Sequence, residues 1–369
     1  MQRIYLRRRI VAAAVVLVPV LLIIFLLTRG GGSTKKVSSG ATSTTRHADT
    51  TTTTTLPLKP VASVASWHLP IALSRSVVLP VNTEIGVFGG QSSSGATGKI
   101  YQIDPMTGQA TALGTMPVAV HDAGGAVVGS SYYVFGGLVS SSTATATVQQ
   151  FSFANSTTMT GSKVGTLPVK RAEFGTAMVN NEVYLVGGFD GSTYLPSIVT
   201  TSDGMTFTST STILHPAVRF AAVAAQGAML YVIGGEIAPV AADSTAVQEV
   251  NLQSGAVTQL TPLHAGLSHA AAVILNNTIY VLGGRSGGHA IATISAFNPA
   301  TGALTAVGTL PAARSDMGVT VIGQTAYLMG GEGTNGQPVN SVVTVSLSAG
   351  GATSSTTSGG FGSQTSTTS

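Results

Sequence analysis

Two sets of side chains in this 369-residue chain have the types and the spacing to do chemistry. Arg75, Asp122, Glu173, Phe220, His269 and Asp316 each stand fourteen residues before the first glycine of a Gly-Gly pair. Gln91, Leu138, Phe189, Glu236, Arg285 and Glu332 each stand two residues after that glycine. Only 8% of the chain is charged, yet eight of these twelve positions are acidic, basic or His. Two readings compete. The charged groups are ion pairs and caps that lock neighbouring repeats, or they form a ligand-binding ring of Arg75, Asp122, Glu173, His269, Asp316, Glu236, Arg285 and Glu332. Guanidinium groups hold carboxylates bidentately, and Arg171, Arg219 and Arg314, close to the first set, have the same capacity. A Glu or His beside Arg also has the means to move a proton, which nominates Glu236, Glu332, His269 and Arg285 in an enzyme reading.

Several chemistries are excluded. With no cysteine, the chain has no thiolate metal site, no disulfide framework and no cysteine nucleophile. No Walker or HExxH pattern occurs, and His264 and His269 share a segment without a carboxylate cluster, so no metal and no cofactor are expected. Up to residue 59 there are nine basic side chains and one acidic one. Beyond it there are eight basic and twelve acidic ones, a net charge of −4. The basic pI of 9.4 is therefore a property of the N-terminus. The remainder has no Lys/Arg stripe for a phosphate backbone, so nucleic acid is not an expected partner.

The elements that must position these side chains recur. An apolar pair runs into Gly-Gly at Gly89-Gly90, Gly136-Gly137, Gly187-Gly188, Gly234-Gly235, Gly283-Gly284 and Gly330-Gly331. The first glycines are 47, 51, 47, 49 and 47 residues apart, and a fixed period of this size marks a repeat architecture. Three residues before the pair stands Tyr133, Tyr184, Tyr231, Tyr280 or Tyr327, with Gly86 in the first unit. Each unit reads as four short strands; in the third these are residues 175–179, 183–186, 197–201 and a last strand from 207. Asn180-Asn181 and Asn276-Asn277 supply hairpin turns between the first two strands. Asp104-Pro105-Met106-Thr107-Gly108 and Asn298-Pro299-Ala300-Thr301-Gly302 supply turns before the last strand. The segment 202–207, Ser-Asp-Gly-Met-Thr-Phe, is a further turn motif, resembling an Asp-box that stabilises a hairpin.

On these residues the chain resembles the kelch-repeat β-propeller family. The likeness covers about residues 61–347 and rests on six registered copies of the apolar run into Gly-Gly, the upstream tyrosine in five of them and the Asp-Pro-x-Thr turn at 104–107. It implies an all-β, six-bladed kelch-like β-propeller with four-stranded blades and the structural role of the twelve glycines. The family's tryptophan on the fourth strand is replaced by smaller residues near Val164, Val257 and Leu304. The resemblance also implies binding at loops around the axis, with a protein or glycan as partner, from a monomeric propeller. Bacterial sialic-acid epimerases (mutarotases) are similar six-bladed kelch propellers, which implies the alternative of a small-molecule carbohydrate enzyme.

The last repeat lacks a fourth strand at its C-terminal side. The spacing Val61-x-x-Val64-x-x-Trp67-His68-Leu69-Pro70 repeats that of Leu304-x-x-Val307-x-x-Leu310-Pro311. The N-terminal strand is therefore expected to complete the sixth blade and close the ring, with Trp67 in the core of that closure.

Ahead of the propeller, residues 1–9 form a short basic segment and residues 10–27 an unbroken apolar run. Eighteen residues at about 1.5 Å each make a helix of roughly 27 Å, close to a bilayer's hydrocarbon thickness. The run reads as one transmembrane helix and an uncleaved signal anchor, since no small-x-small site follows. Arg3, Arg7, Arg8 and Arg9 precede it, against Arg29, Lys35 and Lys36 after it, which favours the N-terminus inside. The expected arrangement is a single-pass anchor at the cell membrane, a disordered Ser/Thr-rich stalk over 28–59, an extracytoplasmic propeller over 60–348 and a disordered tail over 349–369.

Overall fold

The computed structural model describes residues 58–349. The expected anchor at 10–27, all but the last two residues of the expected stalk, and the tail from residue 350 lie outside the described residues. Among the described residues no helix is long and apolar enough to cross a membrane.

The described chain folds into six four-stranded antiparallel sheets. In the third repeat the strands are Gly175–Val179, Glu182–Val186, Ser197–Thr201 and Thr208–Ile213, within a residue of the sequence reading. The first strands of the six sheets touch one another in a closed cycle, Val77–Val81 to Gly124–Val128 and onward to Gly318–Ile322, which returns to Val77–Val81. The sheets are thus the blades of a six-bladed β-propeller around an axis lined by first strands. Second strands are buried almost end to end: Val183, Leu185 and Val186, or Leu230, Tyr231, Val232 and Ile233. A blade between two neighbours is covered on both faces, so the run into Gly-Gly has no polar alternation.

The sixth blade is completed from the other end of the chain. Its order runs from Gly318–Ile322 through Thr325–Met329 and Val339–Ala349 to Leu58–Leu73. Leu58 pairs with Ala349, Val61 with Ser346 and Val64 with Val343 in antiparallel register. The strand thus begins two residues inside the segment read as stalk. Trp67 stacks on Tyr327 with ring centroids 6.5 Å apart and covers Gly108, joining the sixth blade to the first.

The first glycine of each pair is where one blade meets the next. Gly136 has φ +59, and a Cβ on it would be driven into the backbone carbonyl of Arg171. The next residue, Gly137, donates its N–H to that same carbonyl at 2.8 Å. The arrangement recurs from Gly90 to Val120 and from Gly331 to Leu73, both through a second-glycine N–H. Glycine is required because the neighbouring backbone approaches too closely for any side chain.

Candidate functional site

Fourteen residues before each Gly-Gly pair the chain makes a left-handed step. Arg75, Asp122, Glu173, Phe220, His269 and Asp316 have φ of 56, 53, 58, 53, 54 and 56°. Non-glycine residues enter this region at a cost of about 1–2 kcal/mol each, and bulky ones such as Phe are outliers there. A closed circuit of backbone hydrogen bonds compensates. Asp122 N–H donates to Arg75, Glu173 to Asp122, Phe220 to Glu173, His269 to Phe220, Asp316 to His269 and Arg75 to Asp316, at 2.8–3.1 Å. The six residues therefore form a ring at the mouth of the axis. The residue before each ring member bridges to the position after the second glycine, as in Arg219 with Glu236 and Ser315 with Glu332.

This geometry brings all eight predicted charged residues into one network. Arg75 contacts Asp122 at 3.3 Å, Asp316 at 3.3 Å and Glu332 at 3.0 Å. Arg285 holds Asp316 at 2.8 Å and also pairs with Glu332. Arg219 holds Glu173 and Glu236, each at 2.7 Å. Its guanidinium lies 4.8–5.3 Å from the ring centroids of Phe189, Tyr194 and Phe220, within cation–π range. His269 stacks on Phe220 and places Nε2 3.7 Å from both Glu236 and Asp316. Most of these pairs cross from one blade to the next.

Burial sets the protonation of this network. Desolvation, with the Asp122 charge, raises the Glu173 carboxyl to about 7, and Arg219 only partly offsets it. Desolvation likewise raises Asp316 to about 7 against the opposing pull of Arg75. His269 is held well below 6.5 by burial and by Arg285, Arg75 and Arg219. Arg75 loses solvation but is held protonated by Asp122, Asp316 and Glu332, which outweigh that loss.

Two cavities meet the ring. A chamber of about 160 Å³ is lined by ring members, including Glu173, His269 and Asp316, and by the residues that follow them into the first strands. On the Gly-Gly side a cavity of about 890 Å³ opens beside Arg75, Arg285 and Glu332, walled by the hairpin residues Ser92–Ala96 and by Ser140 and Ser141. Arg75 and Arg285 are about a fifth exposed here, at 21% and 23%.

Arg171 and Arg314 stand apart from the carboxylates. Arg171 is buried and donates to the carbonyls of Gly187 and Ser197 and to the Ser197 hydroxyl. Arg314 does the same for Gly330 and Ser341. Both are backbone struts, and burial lowers Arg171 to about 10. The Asp203 turn is likewise structural, its carboxylate accepting from the N–H groups of Met205 and Thr206, which lower it to about 2. His264 lies in an exposed loop, and no group of three His, Asp or Glu placed to hold a metal occurs among the described residues.

Sequence reasoning passed over His121. It stands one residue before a ring member, a register that also holds Ser74, Arg219, Ser268 and Ser315, so the same offset count shifted by one would have found it. His121 Nδ1 lies 2.7 Å from Asp122 Oδ2, and the side chain lines the large cavity.

The Kelch motif model matches residues 170–198 and 266–303. The solved structure of YjhT has a similar fold, with a TM-score of 0.65 and 17% sequence identity, covering 76% of this chain and 99% of that one. No curated protein sequence matches the chain. At 17% identity the likeness is one of fold.

Proposed function

Since this chain is a kelch-repeat β-propeller, we propose that it is a binding module whose protein or glycan ligand enters the axial cavity on the Gly-Gly side. The observation that carries this reading is the 890 Å³ cavity beside Arg75, Arg285 and Glu332, within the size range of ligand pockets. Its floor is preorganised, because each guanidinium is already fixed by carboxylates from neighbouring blades. The serine-rich hairpin walls offer hydroxyl and backbone groups rather than a charged patch. The apolar run at 10–27 and the arginines before it support a placement in which the propeller is held outside the cytoplasm by a single membrane anchor. A glycan array and a pull-down with the full chain, repeated with Ala119→Trp to fill the cavity, test the reading. Ligands lost in the variant support it; ligands retained unchanged refute it.

The carbohydrate-enzyme alternative is favoured by Glu173 and Asp316, whose carboxyls at about 7 are suited to proton transfer. Both line the chamber of about 160 Å³, below the roughly 300 Å³ at which ligand pockets begin. Binding is therefore the preferred reading. Sialic-acid anomer exchange followed by NMR separates the two, and acceleration that disappears in Glu173→Gln or Asp316→Asn would favour the enzyme.

A further inference from the structure

The polar side chains lining the large cavity are of two kinds, and together they select a ligand class. Gln91 Oε1 is buried and has no hydrogen-bond partner among the described residues. His121 of the next blade lines the same cavity, and Gly90 N–H donates to the adjacent Val120 carbonyl at 2.9 Å. His121 faces the Asp122 carboxylate through Nδ1 at 2.7 Å. An ionised carboxylate only accepts, so Nδ1 carries the proton in neutral His121 and Nε2 keeps its lone pair. Nε2 makes no hydrogen bond among the described residues, and His121 lines the cavity. The site thus presents two acceptors, Gln91 Oε1 and His121 Nε2.

It also presents donors. Arg75 uses Nε and Nη1 toward Glu332 and Asp122. Arg285 uses Nε and Nη2 toward Ser315, Asp316 and Glu332. Nη2 of Arg75 and Nη1 of Arg285 make no hydrogen bond among the described residues, and both side chains line the cavity. A bare anion would satisfy these N–H groups but meet two lone pairs and Glu332. A cation would meet two guanidiniums, and an apolar group would leave every one of these atoms unpaired. A hydroxyl both donates and accepts.

We infer that the axial cavity is a saccharide site, in which His121 Nε2 and Gln91 Oε1 accept hydroxyl protons while Arg75 and Arg285 donate to sugar oxygens. The inference rests on the reading of this cavity as the binding site and chooses the glycan over the protein ligand. Asp122 is a positioning residue that fixes the His121 tautomer.

The test is saturation-transfer NMR on the full chain with methyl galactoside, N-acetylglucosamine and maltose, and with acetate and tetramethylammonium as ionic controls. At least one saccharide is expected to bind, with neither ion doing so. Gln91→Leu and His121→Phe should each weaken that binding about tenfold or more. His121→Gln keeps an acceptor at this position, so it should retain clearly more affinity than His121→Phe. If His121→Phe fails to fold, Gln91→Leu carries the affinity test. No transfer to any saccharide, full affinity in Gln91→Leu, equal losses in His121→Phe and His121→Gln, or preferred binding of acetate would each overturn the inference. Should the saccharides fail while a protein ligand is lost in Ala119→Trp, the binding module stands and only the saccharide assignment falls.

Discussion

Replacing Glu173 with Gln should stabilise the propeller, and only on the alkaline side. Burial and the Asp122 charge hold this carboxyl at about 7 in the folded protein, against an ordinary 4.5. Between those values the folded state keeps a proton that the unfolded chain has released. The stabilisation is complete below about 4.5 and is lost as pH rises through 7. The interval is worth about 3 kcal/mol at about 1.4 kcal/mol for each tenfold change in proton affinity. Glu173→Gln stays neutral at every pH, so it should match the parent near pH 5 and exceed it by about 3 kcal/mol at pH 8. For a chain of this size that is a rise in midpoint of about 6 °C or more. His269, whose proton affinity is lowered, pulls the opposite way, losing stability as pH falls. It does so in both proteins, so it leaves the difference nearly unaffected. Urea unfolding at pH 5 and pH 8, followed by the fluorescence of Trp67, the single Trp of the chain, measures both differences. A variant weaker than the parent at pH 8 would mean that the Arg219 pair outweighs desolvation. An equal difference at both pH values would mean that the carboxyl is not held near 7.

Deleting residues 58–69 removes the strand paired along Val339–Ala349, so calorimetry should show a midpoint lower by more than about 10 °C. An unchanged midpoint would refute the closure. Gly136→Ala should cost about 2–4 kcal/mol, combining a left-handed alanine with a collision against the Arg171 carbonyl. Gly129→Ala, at φ +60 with nothing near its Cβ, should cost only about 1–2 kcal/mol in the same denaturation assay. Arg171→Met leaves the Gly187 and Ser197 carbonyls without their buried donor and should cost about 2–4 kcal/mol. Ligand affinity in that variant, measured by titration calorimetry, should not change, because Arg171 does not line the large cavity.

The architecture was legible because its cause is local and repeated. Each Gly-Gly pair answers a close approach of the next blade, and six copies of one constraint leave a period in the chain. The closure was legible for the same reason, since Val61 to Pro70 repeats a spacing found in other blades. The eight charged site residues were found as offsets from the glycines, and they do meet at the axis. What offsets do not reveal is direction. Arg171, Arg219 and Arg314 look alike as basic residues near the ring, yet Arg219 sits one residue before it and reaches carboxylates. The other two sit two residues before it and turn into the blade backbone. The left-handed ring itself had no sequence signal. Such positions ordinarily favour Gly, Asn or Asp, whereas here Arg, Glu, Phe and His occupy four of the six. The backbone circuit between blades that compensates them exists only after the ring closes.

That circuit also bears on the ligand. The network at the axis contains five carboxyls, Asp122, Glu173, Glu236, Asp316 and Glu332, and three guanidiniums, Arg75, Arg219 and Arg285. Fully ionised it would carry a charge of −2, which a buried cluster tolerates badly. The excess is two, and the carboxyls that burial raises to about 7 are also two, Glu173 and Asp316. Below that pH the ring sheds its excess by holding two protons. The floor of the cavity then carries oriented donors and acceptors with almost no net field, so it has little to attract an ion. A neutral, hydroxyl-bearing ligand loses nothing by that balance, and its hydroxyls can use both halves of the polar surface that the ring presents.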